Sequence, residues 1–342
     1  ALYFTPEELE TELRWIDEHV DGRPYGVDVV MPASYAGSDL GVDSPAELVA
    51  KLQAMIPEGH RRFVEDLLAR HGVPPLSADA EPGRVLLGWT DATGRPQVEV
   101  ALKHPIALLA NALGPPPRDI VAQAHAHGVK VAALASTPRH AIKQVEVGVD
   151  VVVAQGTEAG GHTGEISTMV LIPQVVDAVD VPVLAAGGIG SGRQMAAGLA
   201  LGAEGVWTGS IWLTVEEADT PALARDRILA ATSRDTVRSR SWTGKPARLL
   251  RTAWTDAWES AESPGTLPMP LQFMLVSDAL RRIARSGSAE LTTFPAGQII
   301  GAMNQVRPAR EVVYAMAEEF LETMERLSRL TGDLTGGLTG DE

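Results

Sequence analysis

Residues 149–164 read VDVVVAQGTEAGGHTG. The first part, Val149 to Val153, is an apolar run of strand length. The second is a glycine-rich loop with one histidine, His162. Glycines let a backbone approach a flat or charged ligand, because no Cβ stands in the way. A histidine at such a loop exchanges a proton near neutral pH. A second loop of this kind follows at residues 185–192, AAGGIGSG, again behind an apolar run. A third strand end, VWTGS, lies at residues 206–210. Three consecutive strand ends therefore carry binding chemistry.

The rhythm extends outward from these loops. From Pro105 onward apolar runs alternate with helical segments, and Gly114, Gly128 and Gly148 punctuate them. Strands are predicted near residues 25–31, 106–113, 129–135, 149–155, 181–186 and 205–209. The runs are apolar throughout rather than alternating, as when both faces of a parallel sheet are covered. Strands alternating with helices predict an α/β fold with a parallel sheet, here a (β/α)₈ TIM barrel. Six strands are read where eight are needed, so the first one or two strands are expected to be absent from the given chain. Residues 32–103 exceed an ordinary βα connection and read as an elaborated helical insertion near the barrel mouth. Within it, helices are predicted from Ser44 to Met55 and from Gly59 to His71. Residues 215–330 read as a mainly helical extension that closes the barrel, and 331–342 as a disordered tail.

Composition narrows the function. The 342 residues are 45% hydrophobic, with no cysteine and a net charge of −15. Lack of cysteine excludes disulfides, thiolate metal sites and a Cys nucleophile, and fits a cytoplasmic protein. The negative charge argues against nucleic acid or an anionic membrane as partner. No apolar run reaches the length of a membrane span, and no signal peptide is read. The partner expected is a small-molecule substrate, with a homodimer left open as the assembly and no metal.

His162 falls at the C-terminal end of a strand, where parallel barrels place their active sites. It reads as a general base or an anion-binding group; the bland alternative is a loop histidine bonded to a carbonyl. The remaining histidines, His140 among them, read as structural or surface residues. Gly187, Gly188 and Gly190 precede a helix whose first N–H groups are unpaired, a natural phosphate cradle. Gly209 and Ser210 are placed to close its other side. The spacing is not the dinucleotide fingerprint, whose third glycine would fall on Arg193 or Met195. Gln155 and Asn111, each at a strand end, read as hydrogen-bonding groups of the pocket or as structural polar residues. Arg238, Arg240, Lys245, Arg248 and Arg251 read as a solvated surface with local ion pairs, or as a patch that steers an anion.

These motifs resemble the nitronate monooxygenase family, formerly 2-nitropropane dioxygenases. The resemblance rests on residues 154–164 (AQGTEAGGHTG), 182–210 (PVLAAGGIGSGRQMAAGLALGAEGVWTGS) and 244–254 (GKPARLLRTAW), and weakly on 295–301 (PAGQIIG). It implies a single FMN-binding barrel domain over residues 1–330. Gly187, Gly188, Gly209 and Ser210 would hold the FMN phosphate, with Gly190 beside them. Gln155, Gly160 and Gly161 would line the flavin, Asn111 would lie on the substrate pocket, and His162 would be catalytic. The implied reaction oxidises an alkyl nitronate or nitroalkane with O₂ to a carbonyl compound and nitrite.

The chain departs from the family pattern in three places. The opening strand with its Pro-Met segment and the Gly-rich second strand are not found. The segment from Leu109 to Leu113 stands where the family carries His and Phe. The insertion at 32–103 is long. The histidine motif is also similar to that of FMN-dependent enoyl and quinone reductases, in which NAD(P)H reduces the flavin. That reductase is the alternative function, and a non-catalytic flavin- or phosphate-binding scaffold a lesser one.

Overall fold

A computed structural model describes residues 1, 4–32, 34, 36, 45–77 and 91–335. Six strands form one parallel sheet: β1 (Gly26–Val30), β2 (Leu108–Ala112), β3 (Lys130–Ala135), β4 (Val151–Gln155), β6 (Val183–Ala186) and β7 (Gly205–Trp207), in the order β1-β2-β3-β4-β6-β7. Each predicted strand is present, and neighbours in sequence are neighbours in the sheet. The sheet does not close: β1 and β7 are its two edges among the described residues.

The apolar runs form strands because both faces are covered. Val152, Val153 and Ala154 are fully buried, as are Val131, Ala132 and Ala133. Helices Arg118–Ala126, Pro138–Val145, Thr168–Val176 and Gly192–Ala200 provide the cover. Their starts are locally encoded. Thr137 accepts from the His140 N–H and Ser191 from the Gln194 N–H, each satisfying a donor the helix leaves unpaired. Thr5 and Glu8 form a reciprocal capping box on the first helix, Pro6–His19.

A second sheet was not expected. β5 (Gly161–His162) pairs antiparallel with β9 (Ala247–Leu250), which pairs with β8 (Thr236–Ser239). Two residues of β5 are too few to carry a periodicity. β8 and β9 include Arg238 and Arg248, whose charges read as surface. Arg248 is in fact 7% exposed. Its Nε donates to the Thr157 carbonyl at 2.8 Å and Nη1 to Thr236 Oγ1 at 3.1 Å. A buried cation on two oxygens thus fastens the histidine loop to this small sheet.

The helices of the insertion, Pro45–Ala54 and Glu58–Arg70, pack against helices Ala253–Trp258 and Leu271–Ser286. Leu52, Leu68, Trp254 and Val276 form a second core there, apart from the one under the parallel sheet. The last helix, Ala309–Thr335, runs past the predicted start of the disordered tail at residue 331. A helix already nucleated adds residues at little cost. The rest of that tail lies outside the described residues. This helix lies on Gly192–Ala200 so closely that a Cβ on Gly192 would overlap the Phe320 nitrogen, and Glu319 accepts from the Gly192 N–H at 2.7 Å. Among the described residues no helix is long and apolar enough to cross a membrane.

Candidate active site

The C-terminal ends of β4, β6 and β7 open into one cleft of about 310 Å³. Gln155 ends β4; Gly187 and Gly188 follow β6; Gly209 and Ser210 follow β7. Gly160 and Gly161 come over from the histidine loop. All seven predicted cofactor residues other than Gly190 therefore line one space, with Ile189, Trp207, Leu213 and Ile299 as apolar walls. Gly187 and Gly188 have φ of 103° and 69°, a left-handed backbone that side chains disfavour. Gly190 plays another part. A Cβ there would collide with Ile299 and Ile211, so its bareness serves packing.

The cleft is held by hydrogen bonds to its backbone. Thr168 Oγ1 donates to the Gly187 carbonyl at 2.8 Å, and Gln194 Nε2 to the Gly188 carbonyl at 2.6 Å. Ser210 Oγ accepts from the Gly297 N–H at 2.8 Å, and the Glu158 carbonyl from the Gln298 N–H at 2.9 Å. The last two contacts explain why the segment 295–301 belongs to the pattern: it ties the histidine loop to the end of β7.

Gln155 is shared with a neighbouring cavity of about 450 Å³, lined also by Leu113, Ser136, His140, Lys143, Gln144, His162 and Lys245. His162 is placed there by β5, whose ladder pairs it with Ala247. Its Nε2 lies 2.7 Å from Thr243 Oγ1. Burial, with a smaller push from the Lys245 cation, lowers its pKa to about 4. The ring is therefore neutral near pH 7. Among the described residues, the cavity lining contains two lysines and no carboxylate. Burial also lowers the Lys245 pKa.

Asn111 does not line either space. It is 1% exposed; its Oδ1 accepts from the Met31 N–H at 2.9 Å, and its Nδ2 donates to the Gly114 carbonyl at 3.0 Å. It ties the ends of β1 and β2 together, while Ala112 to Pro115 just beyond it form the cavity wall.

Sequence reasoning missed His140, Lys143, Gln144 and Thr243. The first three carried a signal: they lie on the helix after β3 at helical i, i+3, i+4 spacing, hence on one side. Thr243 carried none, since 81 residues separate it from His162. Among the described residues no group of metal ligands is present.

The sequence profile of the family described as nitronate monooxygenase matches residues 1–319. A Mycobacterium tuberculosis protein named as a monooxygenase is 53% identical over 96% of this chain and 89% of its own length. A Staphylococcus aureus protein named as a nitronate monooxygenase is 30% identical over 87% and 80% respectively. Among solved structures, nitroalkane oxidase from Streptomyces ansochromogenes superposes with a TM-score of 0.77 at 29% identity, covering 95% of this chain and 88% of its own. FabK from Thermotoga maritima does so with a TM-score of 0.70 at 26% identity, covering 96% and 85%.

Proposed function

Because this chain belongs to the nitronate monooxygenase family and is an oxidoreductase, we propose that it oxidises alkyl nitronates or nitroalkanes with O₂, using FMN held in the cleft beyond β4, β6 and β7. The observation that carries the reading is a neutral, half-buried His162 in a cavity that shares Gln155 with a glycine-lined cleft.

The cleft residues suit FMN. Gly209 faces open space, with nothing within 4 Å of where a Cβ would sit. Gly187, Gly188, Gly209 and Ser210 would hold the phosphate through backbone N–H groups. Gln155, Gly160 and Gly161 would line the flavin beside Trp207 and Ile189. When bound, FMN supplies the acceptor for the substrate's electron pair and the donor to O₂.

The chain's own residues do the rest. His162, unprotonated near pH 7, takes the α-proton from a neutral nitroalkane, and the electron pair left behind delocalises onto the nitro oxygens as the nitronate. Lys245 and Lys143 hold the resulting anion in a cavity that offers it no opposing carboxylate among the described residues. The test is His162→Asn assayed on a nitroalkane and, separately, on its pre-formed nitronate. General-base catalysis contributes roughly 10²–10⁴-fold, so turnover of the nitroalkane falls by about that factor and that of the nitronate far less. Equal losses on both substrates would remove the base role.

A second reading, an NAD(P)H-driven FMN reductase of an enoyl thioester or quinone, is supported by the likeness to FabK. Rapid flavin reduction by NAD(P)H, with inertness toward nitronates, would favour it.

A further inference from the structure

The His162 ring has one hydrogen-bonded nitrogen. Nε2 meets Thr243 Oγ1 at 2.7 Å, and Nδ1 has no partner among the described residues. Thr243 is 1% exposed. Its hydroxyl has two further contacts: the Lys245 N–H donates to Oγ1 at 3.3 Å, and Oγ1 lies 3.4 Å from the Lys245 carbonyl as donor. A hydroxyl has one proton to give and two lone pairs to offer. All three contacts are satisfied together in one arrangement only. Oγ1 gives its proton to the Lys245 carbonyl, and accepts from the Lys245 N–H and from His162 Nε2–H. Were the hydroxyl to donate to Nε2 instead, the contact to the Lys245 carbonyl would lose its proton.

The turn carrying Thr243 is itself fixed. The Gly244 N–H donates to the Arg240 carbonyl at 2.9 Å. Gln272, fully buried on helix Leu271–Ser286, donates to the Ser241 carbonyl at 3.0 Å and accepts from the Leu267 N–H at 2.9 Å. Gly244 has φ of 82°, and a Cβ there would overlap the Leu267 carbonyl. The turn cannot easily swing away, and it leads directly into β9, whose Ala247 pairs with the His162 backbone. One segment thus holds both the main chain and the ring of His162.

We propose that Thr243 is a positioning residue that holds His162 as its Nε2–H tautomer and so leaves Nδ1 as the proton-accepting atom. The inference rests on the reading of His162 as a base, and it names the atom that acts. An imidazole locked in the other tautomer would present an N–H where a lone pair is needed.

The direct test is a long-range ¹H–¹⁵N correlation spectrum of the full-length, ¹⁵N-histidine-labelled protein with FMN added, at pH 7. The His162 signals are assigned by their loss in His162→Asn. The native protein and Thr243→Ser should show Nε2 protonated, and Thr243→Val should show a mixture or the Nδ1–H form. In parallel, kcat/KM for a neutral nitroalkane should fall at least tenfold in Thr243→Val, with recovery in Thr243→Ser and less than a twofold change on the nitronate. A native spectrum with Nδ1 protonated overturns the proposal, and needs no variant to fold. So does a Thr243→Val spectrum unchanged from native. If the tautomers behave as stated but Thr243→Val slows nitroalkane and nitronate equally, the assignment to Thr243 stands and the base role of His162 is what fails.

Discussion

The protonation of His162 lends itself to a sharp quantitative test. Its pKa is about 4 against an ordinary 6.5. At pH 6 an ordinary histidine would be about three-quarters protonated, and this one only about 1%. A base that must be neutral should therefore sustain kcat/KM for a neutral nitroalkane almost unchanged from pH 8 down to about pH 5, and lose it only as pH nears 4. The larger cause is burial and the smaller is the charge on Lys245. Lys245→Met should raise the His162 pKa and move the acid limb to higher pH, while burial keeps it below 6.5. The assay is nitrite release across the pH range, paired with an NMR titration of the His162 ring without substrate. A native acid limb near pH 6.5, or a titration midpoint there, would refute the reasoning. So would a Lys245→Met limb shifted downward.

Other consequences follow from the same contacts. Gly209→Val adds a side chain where no atom lies within 4 Å and φ is −125°; FMN affinity measured by fluorescence quenching should drop at least tenfold while the Tm of the FMN-free protein stays unchanged. Gly192→Ala forces the last helix off its neighbour and should cost about 1–3 kcal/mol, read by chemical denaturation, with faster hydrogen exchange in Ala309–Thr335. His104 bonds Asp17 at 2.6 Å and Glu10 at 3.1 Å. Burial works against its charge, but those two bonds outweigh it and raise its pKa, while Asp17 and Glu10 are lowered, chiefly by hydrogen bonds from Tyr25 and Arg14 and also by His104. The histidine's share of stability is present below its unfolded pKa and fades as pH rises through the raised one. The carboxylates' share is present above their unfolded values and fades as pH falls through the lowered ones. His104→Ala should thus cost most between roughly pH 4.5 and 6.5, and less at pH 9, as measured by urea denaturation.

Much of the parallel sheet was legible because its code is local. A run such as Val149 to Val153, between Gly148 and the Gly156 loop, allows little but a buried strand, and two of the covering helices open on a side-chain cap, Thr137 and Ser191. The cleft was legible for the same reason: Gly187, Gly188 and Gly209 follow closely on β6 and β7, and Gly160 lies in the loop after β4, so strand order brings the loops together. Gly190 shows the limit of that logic. It sits in the same motif, yet its bareness answers Ile211 and Ile299, neither of which is near it in sequence. Asn111 likewise spends its amide on backbone atoms of Met31 and Gly114, a use that appears only once β1 and β2 are side by side. The small sheet was hidden because β5 is two residues long and because Arg248, a charge, is buried on carbonyl and hydroxyl oxygens. Thr243 was hidden most deeply, since what matters about it is its partner across the chain.

Whether electrons enter from a nitronate, as proposed, or from a nicotinamide is read from the visible spectrum of the FMN-loaded protein under anaerobic conditions, with an alkyl nitronate added to one sample and NADPH to another. Flavin absorbance should be lost with the nitronate and retained with NADPH. Loss with NADPH and none with the nitronate would contradict the proposal.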